Sequence, residues 1–307
     1  MRLVFLGSPP FATPVLARLV ASRFRPVAVL TQPPRAKGRG QKVVESEVAE
    51  LARREEIELL EPESVRAPAV YERLRALEPD VFLVVAYGEI LRAEFLQIAR
   101  VVPLNVHPSL LPRWRGATPV PAAILAGDDV TGVAIQQITA ELDAGDLLLV
   151  RETPIRPGET AGELLARLAE WSGELVLEAL ALVDSGRARY TPQDRALATF
   201  CKKLAKEDGR FDWKEPAAAL ERRVRAMNPW PGASTRLPSG ADLFVWRARV
   251  VDGSGAPGTV LEAGKRLVVA TGEHALELDE VQLAGRRPLP AHEFLRGARL
   301  PAGAHLG

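Results

Sequence analysis

Val81-Phe82-Leu83-Val84-Val85-Ala86 is a run of six apolar residues with no polar alternation. A run of strand length without a polar face describes a strand buried on both sides, the pattern of a parallel sheet covered by helices. Working outward, Ala69–Leu77 reads as the helix before it and Val101–Val106 as the next strand. Further upstream, Arg2–Leu6, Val27–Leu30 and Ile57–Leu60 read as strands. Between them lie helices at Pro14–Val20, with Thr13 as N-cap and Pro14 at N1, and at Val43–Glu55. Strands at Thr131–Ile138 and Leu147–Val150, then a long helix over Thr160–Val183, complete a βαβα order, which predicts a mainly parallel sheet. After Gly186 the character changes. Pro216–Met227 reads as an amphipathic helix, with Leu220, Val224 and Met227 on one face. The Gly- and Pro-punctuated runs Leu243–Arg247, Gly258–Leu261, Leu267–Ala270 and Ala275–Val281 then read as a small β-barrel or sandwich.

The chain has 307 residues, about two domains by length, with ordinary apolar (47%) and charged (26%) fractions. It contains no apolar run of ~18 residues, so no transmembrane helix is expected. With no leader-like segment at the N-terminus and a single cysteine, Cys201, a cytoplasmic protein is expected. A net charge of +1 argues against a chain that is basic throughout, though not against a local basic patch. The four histidines, at 107, 274, 292 and 305, have no metal-ligand spacing, so no metal is expected.

The residues able to carry chemistry cluster after the Val101–Val106 strand, in Leu104-Asn-Val-His-Pro-Ser-Leu-Leu-Pro-Arg-Trp-Arg-Gly116. Residues i and i+2 of an extended chain share a face, so Asn105 and His107 can reach one small polar target. An isolated Asn-x-His equally describes a polar strand end with the histidine bonded to backbone. Here Pro108, Pro112 and the Arg113-Trp114-Arg115 cluster favour a built site. Asp143 lies between two strands, in Glu141-Leu-Asp-Ala-Gly-Asp146, and by itself reads as a turn residue. Ligands of such sheets bind beyond the carboxyl ends of strands, where Asn, His and Asp could stabilise an oxyanion and move a proton. No serine or cysteine sits in a Gly-flanked nucleophile elbow, which favours direct transfer between two bound substrates. Gly7-Ser-Pro-Pro10 lacks the dinucleotide fingerprint. Thr31–Lys42 carries Arg35, Lys37, Arg39 and Lys42 without an acid. That is either a solvated loop or a clamp for RNA phosphates, extended by Lys202, Lys203, Lys206, Arg222 and Arg225.

These segments resemble the folate-dependent formyltransferases over nearly the whole chain. The resemblance is carried by Asn105–Ala117, by Thr131-Gly-Val and Leu142-Asp-Ala-Gly-Asp146, by Lys203–Trp213 and by Arg225–Gly232. It implies a Rossmann-like α/β catalytic domain over 1–189, a linker over 190–208, and an OB-like β-barrel domain that contacts tRNA over 209–307. It also implies 10-formyltetrahydrofolate as co-substrate, with Asn105, His107 and Asp143 catalytic. Ser109, Leu110, Leu111, Pro112, Ala86, Tyr87 and Gly88 would then wall the folate pocket. The Thr31–Lys42 segment resembles the basic loop of the branch that formylates methionyl-initiator-tRNA. Arg35, Lys37, Arg39, Lys42, Lys203 and Lys206 are accordingly expected to bind tRNA, and the protein to be a monomer. The mechanism so implied has Asp143 raising the pKa of His107, which donates as an imidazolium, together with Asn105, to the oxyanion. Three alternatives are weighed: transfer to an amino-sugar nucleotide, hydrolysis of the formyl-folate, and a non-catalytic RNA-binding protein.

Overall fold

The computed structural model describes residues 1–37 and 42–307, and the chain divides into two compact units. The first comprises Met1–Gly116, Val130–Pro154 and Leu165–Cys201; the second comprises Ala117–Asp129, Ile155–Leu164 and Lys202–Gly307.

In chain order, the strands of the first unit are β1 (Leu3–Gly7), β2 (Ala28–Leu30), β3 (Arg35–Lys37), β4 (Lys42–Val44), β5 (Glu58–Leu60), β6 (Val81–Val85), β7 (Val102–His107), β8 (Arg115–Gly116), β9 (Val130–Gln137), β10 (Leu147–Pro154) and β11 (Phe200–Cys201). Among the described residues, seven of them form one sheet in the order β10-β9-β7-β6-β1-β2-β5. The pairings among β5, β2, β1, β6 and β7 are parallel, and β9 runs antiparallel to both of its neighbours. All five residues of β6 and all five of β1 are buried, as the unbroken apolar run requires. Phe82 of β6 packs against Phe95 with ring centroids 5.1 Å apart, inside a cluster that includes Leu6, Leu30 and Leu74. The helices of this unit are α1 (Ala12–Val20), α2 (Glu47–Arg54), α3 (Pro68–Ala76) and α4 (Ala93–Leu96).

Two local expectations are corrected. Thr13 is not an N-cap: α1 starts at Ala12 after Phe11, and the turn formed by the Ala12 and Thr13 amides bonding the Pro9 and Pro10 carbonyls leads into it. Pro14 still sits in the first turn, where its missing N–H costs nothing. The helix expected from Val43 begins instead at Glu47, because Ser46 caps it by accepting from the Ala49 amide at 3.1 Å. The β-branched pair Val43-Val44 belongs to β4, which pairs antiparallel with β3 in a hairpin, Arg35 opposite Val44 and Lys37 opposite Lys42.

In the second unit, α5 (Pro119–Ala126) packs against α7 (Ala217–Ala226). Between these two in chain order, α6 (Ala161–Asp184) carries residues of both units. The sheet strands are β12 (Ala233–Arg236), β13 (Asp242–Val251), β14 (Val260–Ala263), β15 (Leu267–Ala270), β16 (Ala275–Leu283) and β17 (Leu289–Pro290), followed by α8 (Ala291–Gly297). They pair antiparallel in the order β12-β13-β16-β15-β14, with β17 on β16. The apolar stripe of α7 is realised: Leu220, Val224 and Met227 are buried.

Candidate active site

The carboxyl end of β7 carries Asn105 and His107, and both expectations about their placement follow from strand register. Asn105 stands opposite Gln136 of β9, and His107 opposite Ala134. Residues directly opposite in an antiparallel pair share a face, so Asn105, His107 and Gln136 form one polar patch. Asp143 comes to that patch from the loop after β9. The loop presses onto the strand end at Gly145, where a Cβ would stand 1.8 Å from the Gln137 carbonyl oxygen. The Asp143 Oδ1 then lies 3.8 Å from His107 Nδ1, too far for a hydrogen bond but close enough for a strong charge interaction. Among the described residues, no hydrogen-bond partner of the Asn105 carboxamide is present, which leaves its N–H group for a ligand.

Both members of the His–Asp pair are held by one backbone strip. His107 Nε2 donates to the Trp114 carbonyl at 2.9 Å, and the Gly116 amide donates to Asp143 Oδ2 at 2.9 Å. The first bond puts the ring proton on Nε2 and leaves the Nδ1 lone pair toward Asp143. Trp114 (φ 61°) and Asp143 (φ 48°) both adopt left-handed backbone, as does Ala86 (φ 52°) at the end of β6. Such conformations cost of order 1–3 kcal/mol each and persist where surrounding structure enforces them. At Trp114 the segment leading into β11 does the enforcing. Strand β11 pairs with β8, the Trp114 amide donates to Thr199 Oγ1 at 2.9 Å, and the Arg115 amide donates to the Thr199 carbonyl at 2.9 Å. Gly116 (φ 117°) is required at this crossing, since a Cβ would stand 2.2 Å from the Cys201 carbonyl oxygen.

The expected protonation state of His107 is corrected. Asp143 and the Trp114 carbonyl pull its pKa upward, but His107 is only 4% exposed, and burial pushes the pKa below the usual imidazole range. The resting ring is therefore neutral.

Of the residues expected to wall the folate pocket, Ser109 is buried and donates to the Arg113 carbonyl at 2.6 Å, bracing the loop. Leu111 is buried, and Leu110 lies against Gly132 of β9. The Leu111–Pro112 peptide is cis. Tyr87 departs from expectation: its ring is 1% exposed within the β1–β6 core, its carbonyl accepts from Gln32 Nε2 at 3.1 Å, and it can offer a ligand no ring face. Ala86 and Gly88 (φ 88°) shape the turn after β6.

Among the expected tRNA ligands, Arg35 is exposed on β3, Lys37 and Lys42 are backbone partners in the β3–β4 register, and Arg39 lies outside the described residues. Lys203 and Lys206 are exposed in the second unit. Arg222 and Arg225 are engaged within that unit: Arg222 donates to the Leu125 carbonyl, and Arg225 to the Glu221 carboxylate. Among the described residues, no group of three or more His, Cys, Asp or Glu side chains is placed to hold a metal ion, and no helix is long and apolar enough to cross a membrane.

The sequence missed Gln136, Trp114, Gly116, Gln193 and Thr199. Of these, only the segment holding Trp114 and Gly116 carried a signal, through its prolines and charged aromatic cluster.

Comparison with known proteins gives a consistent result. Residues 1–180 match the family model "Formyl transferase", and residues 203–299 match "Formyl transferase, C-terminal domain". A protein of Roseiflexus castenholzii named methionyl-tRNA formyltransferase is 47% identical, covering 100% of this chain and 99% of its own. One of the same name from Methylococcus capsulatus is 44% identical over the full length of both. Among solved structures, the sugar 3N-formyl transferase WlaRD shares the fold at a TM-score of 0.69 and 12% identity, covering 94% of this chain and 99% of that one. HypX from Aquifex aeolicus, solved with tetrahydrofolic acid, does so at 0.63 and 22%, covering 96% of this chain and 47% of that one.

Proposed function

The chain belongs to the formyl transferase family, and from that premise we propose that it moves the formyl group of 10-formyltetrahydrofolate onto the amine of methionyl-initiator-tRNA, giving the formylated initiator for translation. The observation that carries this reading is the pair of buried His107 and half-buried Asp143 at 3.8 Å, on the same sheet face as the unpartnered Asn105 carboxamide. One carboxamide donor, one imidazole and one carboxylate suit a carbonyl that becomes an oxyanion while a proton crosses from one nitrogen to another.

The attacking α-amine has an ordinary pKa of ~7.7–8.0, so a useful neutral fraction exists near pH 7. As its nitrogen bonds the formyl carbon, Asn105 donates to the developing oxyanion. The neutral resting state assigns His107 the role of proton acceptor rather than standing acid. It takes the proton released by the amine, becomes an imidazolium beside the Asp143 carboxylate, and returns that proton to N10 as the carbon–N10 bond breaks and the carbonyl reforms. Ser109, Leu110, Leu111 and Pro112 line the folate, with Ala86 and Gly88 contributing backbone and Tyr87 supporting from behind.

The acceptor assignment is supported by the full-length similarity to proteins named methionyl-tRNA formyltransferase and by the basic residues Arg35, Lys37 and Lys42 of the β3–β4 hairpin, with Arg39 between them in sequence. We assign phosphate contacts to these four and to Lys203 and Lys206 of the second unit. A monomer acting in the cytoplasm, with residues 190–208 as connector, completes the reading. The test compares acceptors: the chain with 10-formyltetrahydrofolate and either methionyl-tRNA or an amino-sugar nucleotide. Formylated methionyl-tRNA is expected. Product from the sugar nucleotide alone overturns the acceptor assignment, and tetrahydrofolate release without an acceptor points to hydrolysis.

A further inference from the structure

Residues 181–202 fall outside both matched family segments, yet Gln193 from that stretch reaches the site. Its side chain is 9% exposed and fully engaged. Gln193 Nε2 lies 2.7 Å from the Gly145 carbonyl, 2.9 Å from the Asp143 carbonyl and 3.0 Å from Gln136 Oε1. Gln193 Oε1 accepts from Arg115 Nε at 3.1 Å and Nη2 at 2.8 Å. A guanidinium has donors only, so the atom facing Arg115 must be the oxygen, and this fixes which way the Gln193 amide points. The Gln193 N–H groups in turn claim the oxygen of Gln136. That forces the Gln136 amide to present Nε2, which donates to Asp143 Oδ1 at 3.2 Å. Oδ1 is the oxygen that faces His107. Arg115 is itself 2% exposed and meets one carboxylate, Glu141, at 3.4 Å.

We propose that Gln193 and Gln136 are positioning residues, a two-amide relay anchored on buried Arg115 that holds Asp143 Oδ1 toward His107. The segment between the two family domains is thus part of the catalytic apparatus. The inference rests on the formyl-transfer reading above. Without the relay, the Asp143 loop loses two main-chain bonds and the Gln136 amide is free to turn its oxygen toward the carboxylate. Neither residue touches the reacting atoms; both act through Asp143.

Two variants separate orientation from folding. Gln193→Glu keeps the shape and gives Arg115 a carboxylate acceptor, while removing the N–H groups that Gln193 offers to the Asp143 and Gly145 carbonyls and to Gln136 Oε1. Gln136→Leu leaves Arg115 untouched and removes the donor to Asp143 Oδ1 together with the acceptor of one Gln193 N–H, while Gln193 keeps its bonds to the Asp143 and Gly145 carbonyls. Each is expected to lower kcat for methionyl-tRNA about 10- to 100-fold, the range usual when an orienting partner is lost, with KM for the folate within about threefold. Groups that act as one unit are non-additive. The double variant should therefore fall within about threefold of the worse single variant, by the same reasoning. Independent damage to the fold would multiply the two losses. A kcat within twofold of wild type in folded Gln136→Leu, or multiplicative losses in the double variant, overturns the relay. Should Gln193→Glu fail to fold, Gln136→Leu decides by itself. A wild-type chain that transfers no formyl group overturns the underlying reading, and the relay's catalytic role with it. An active wild type beside variants like it overturns only the relay.

Discussion

Replacing Asp143 with asparagine tests the assignment of His107 as a transient proton carrier, and its size can be worked from one distance. At rest the imidazole is neutral and gains little from the carboxylate. When it holds the proton, unit charges stand 3.8 Å apart. With an effective dielectric of ~20, Coulomb's law gives about 4 kcal/mol for that contact. The stabilisation exists only once the proton has moved, so it lowers the barrier and leaves ground-state binding alone. At 1.36 kcal/mol per decade, Asp143→Asn is expected to lower kcat by roughly 10³-fold, with little change in folate affinity.

The substitution also has a structural cost that must be kept apart from this. Asp143 accepts from the Gly116 amide and from Gln136 Nε2. Asparagine keeps one oxygen, so one of those donors meets an NH₂ group, at a cost of about 1–3 kcal/mol in stability. Urea melts measure that term, and single-turnover formylation with saturating folate and methionyl-tRNA measures the rate on the folded fraction. A folded variant that keeps more than a tenth of the wild-type kcat refutes the argument, because the carboxylate would then not be compensating an imidazolium.

The remaining expectations are narrower. Burial holds the folded-state pKa of His107 below its unfolded value of ~6.5, so the unfolded chain binds the extra proton. The stability contribution is present above that pH and is lost as pH falls through it. Denaturant midpoints between pH 7.5 and 5, repeated with His107→Gln, should show a shallower acid loss in the variant. Gly116→Ala forces a Cβ to within 2.2 Å of the Cys201 carbonyl. Parting of β8 from β11 should lower the thermal midpoint by several degrees, the equivalent of about 1–3 kcal/mol, and abolish turnover; an active, equally stable variant would show that the crossing relaxes freely. Neutralising Arg35 and Arg39 together should raise KM for methionyl-tRNA and make its logarithmic salt dependence shallower by between one and two charges, at roughly 0.7–0.9 per phosphate contact. Loss confined to folate affinity would count against the hairpin as a phosphate ligand.

The central sheet was readable in the sequence because burial on both faces leaves little choice of residue. Strands such as Leu3–Gly7 and Val81–Val85 are uninterrupted apolar runs, and they end within a residue or two of where the pattern ends. Pro119–Ala126 was not readable as a helix: it is apolar on every side and begins with two prolines among three residues, so no 3.6-residue period shows. The β3–β4 hairpin was hidden for another reason. Its strands are three residues each, too short for an alternation to be told from chance.

For the site, the sequence named groups but could not weigh the forces between them. Placing an aspartate beside a histidine argues for a raised pKa, and the distance bears out the contact. Yet the same strand that brings His107 to Asp143 buries it beneath the 108–116 loop, and desolvation of a charged ring outweighs one carboxylate at 3.8 Å. Local spacing says nothing of burial, which is set by every element packed around the ring. Gln193 shows the same limit from another side. It follows a proline in a stretch without periodicity, and its partners at Gln136 and Gly145 are 57 and 48 residues away. What makes it legible in the structure is hydrogen-bond accounting. A buried guanidinium can only donate, so the amide that meets it has one permitted orientation. That orientation passes through Gln136 to the single oxygen that faces the His107 ring. In the mechanism proposed for Asn105, His107 and Asp143, the carboxylate is thus oriented by polar groups whose importance follows from satisfiability alone.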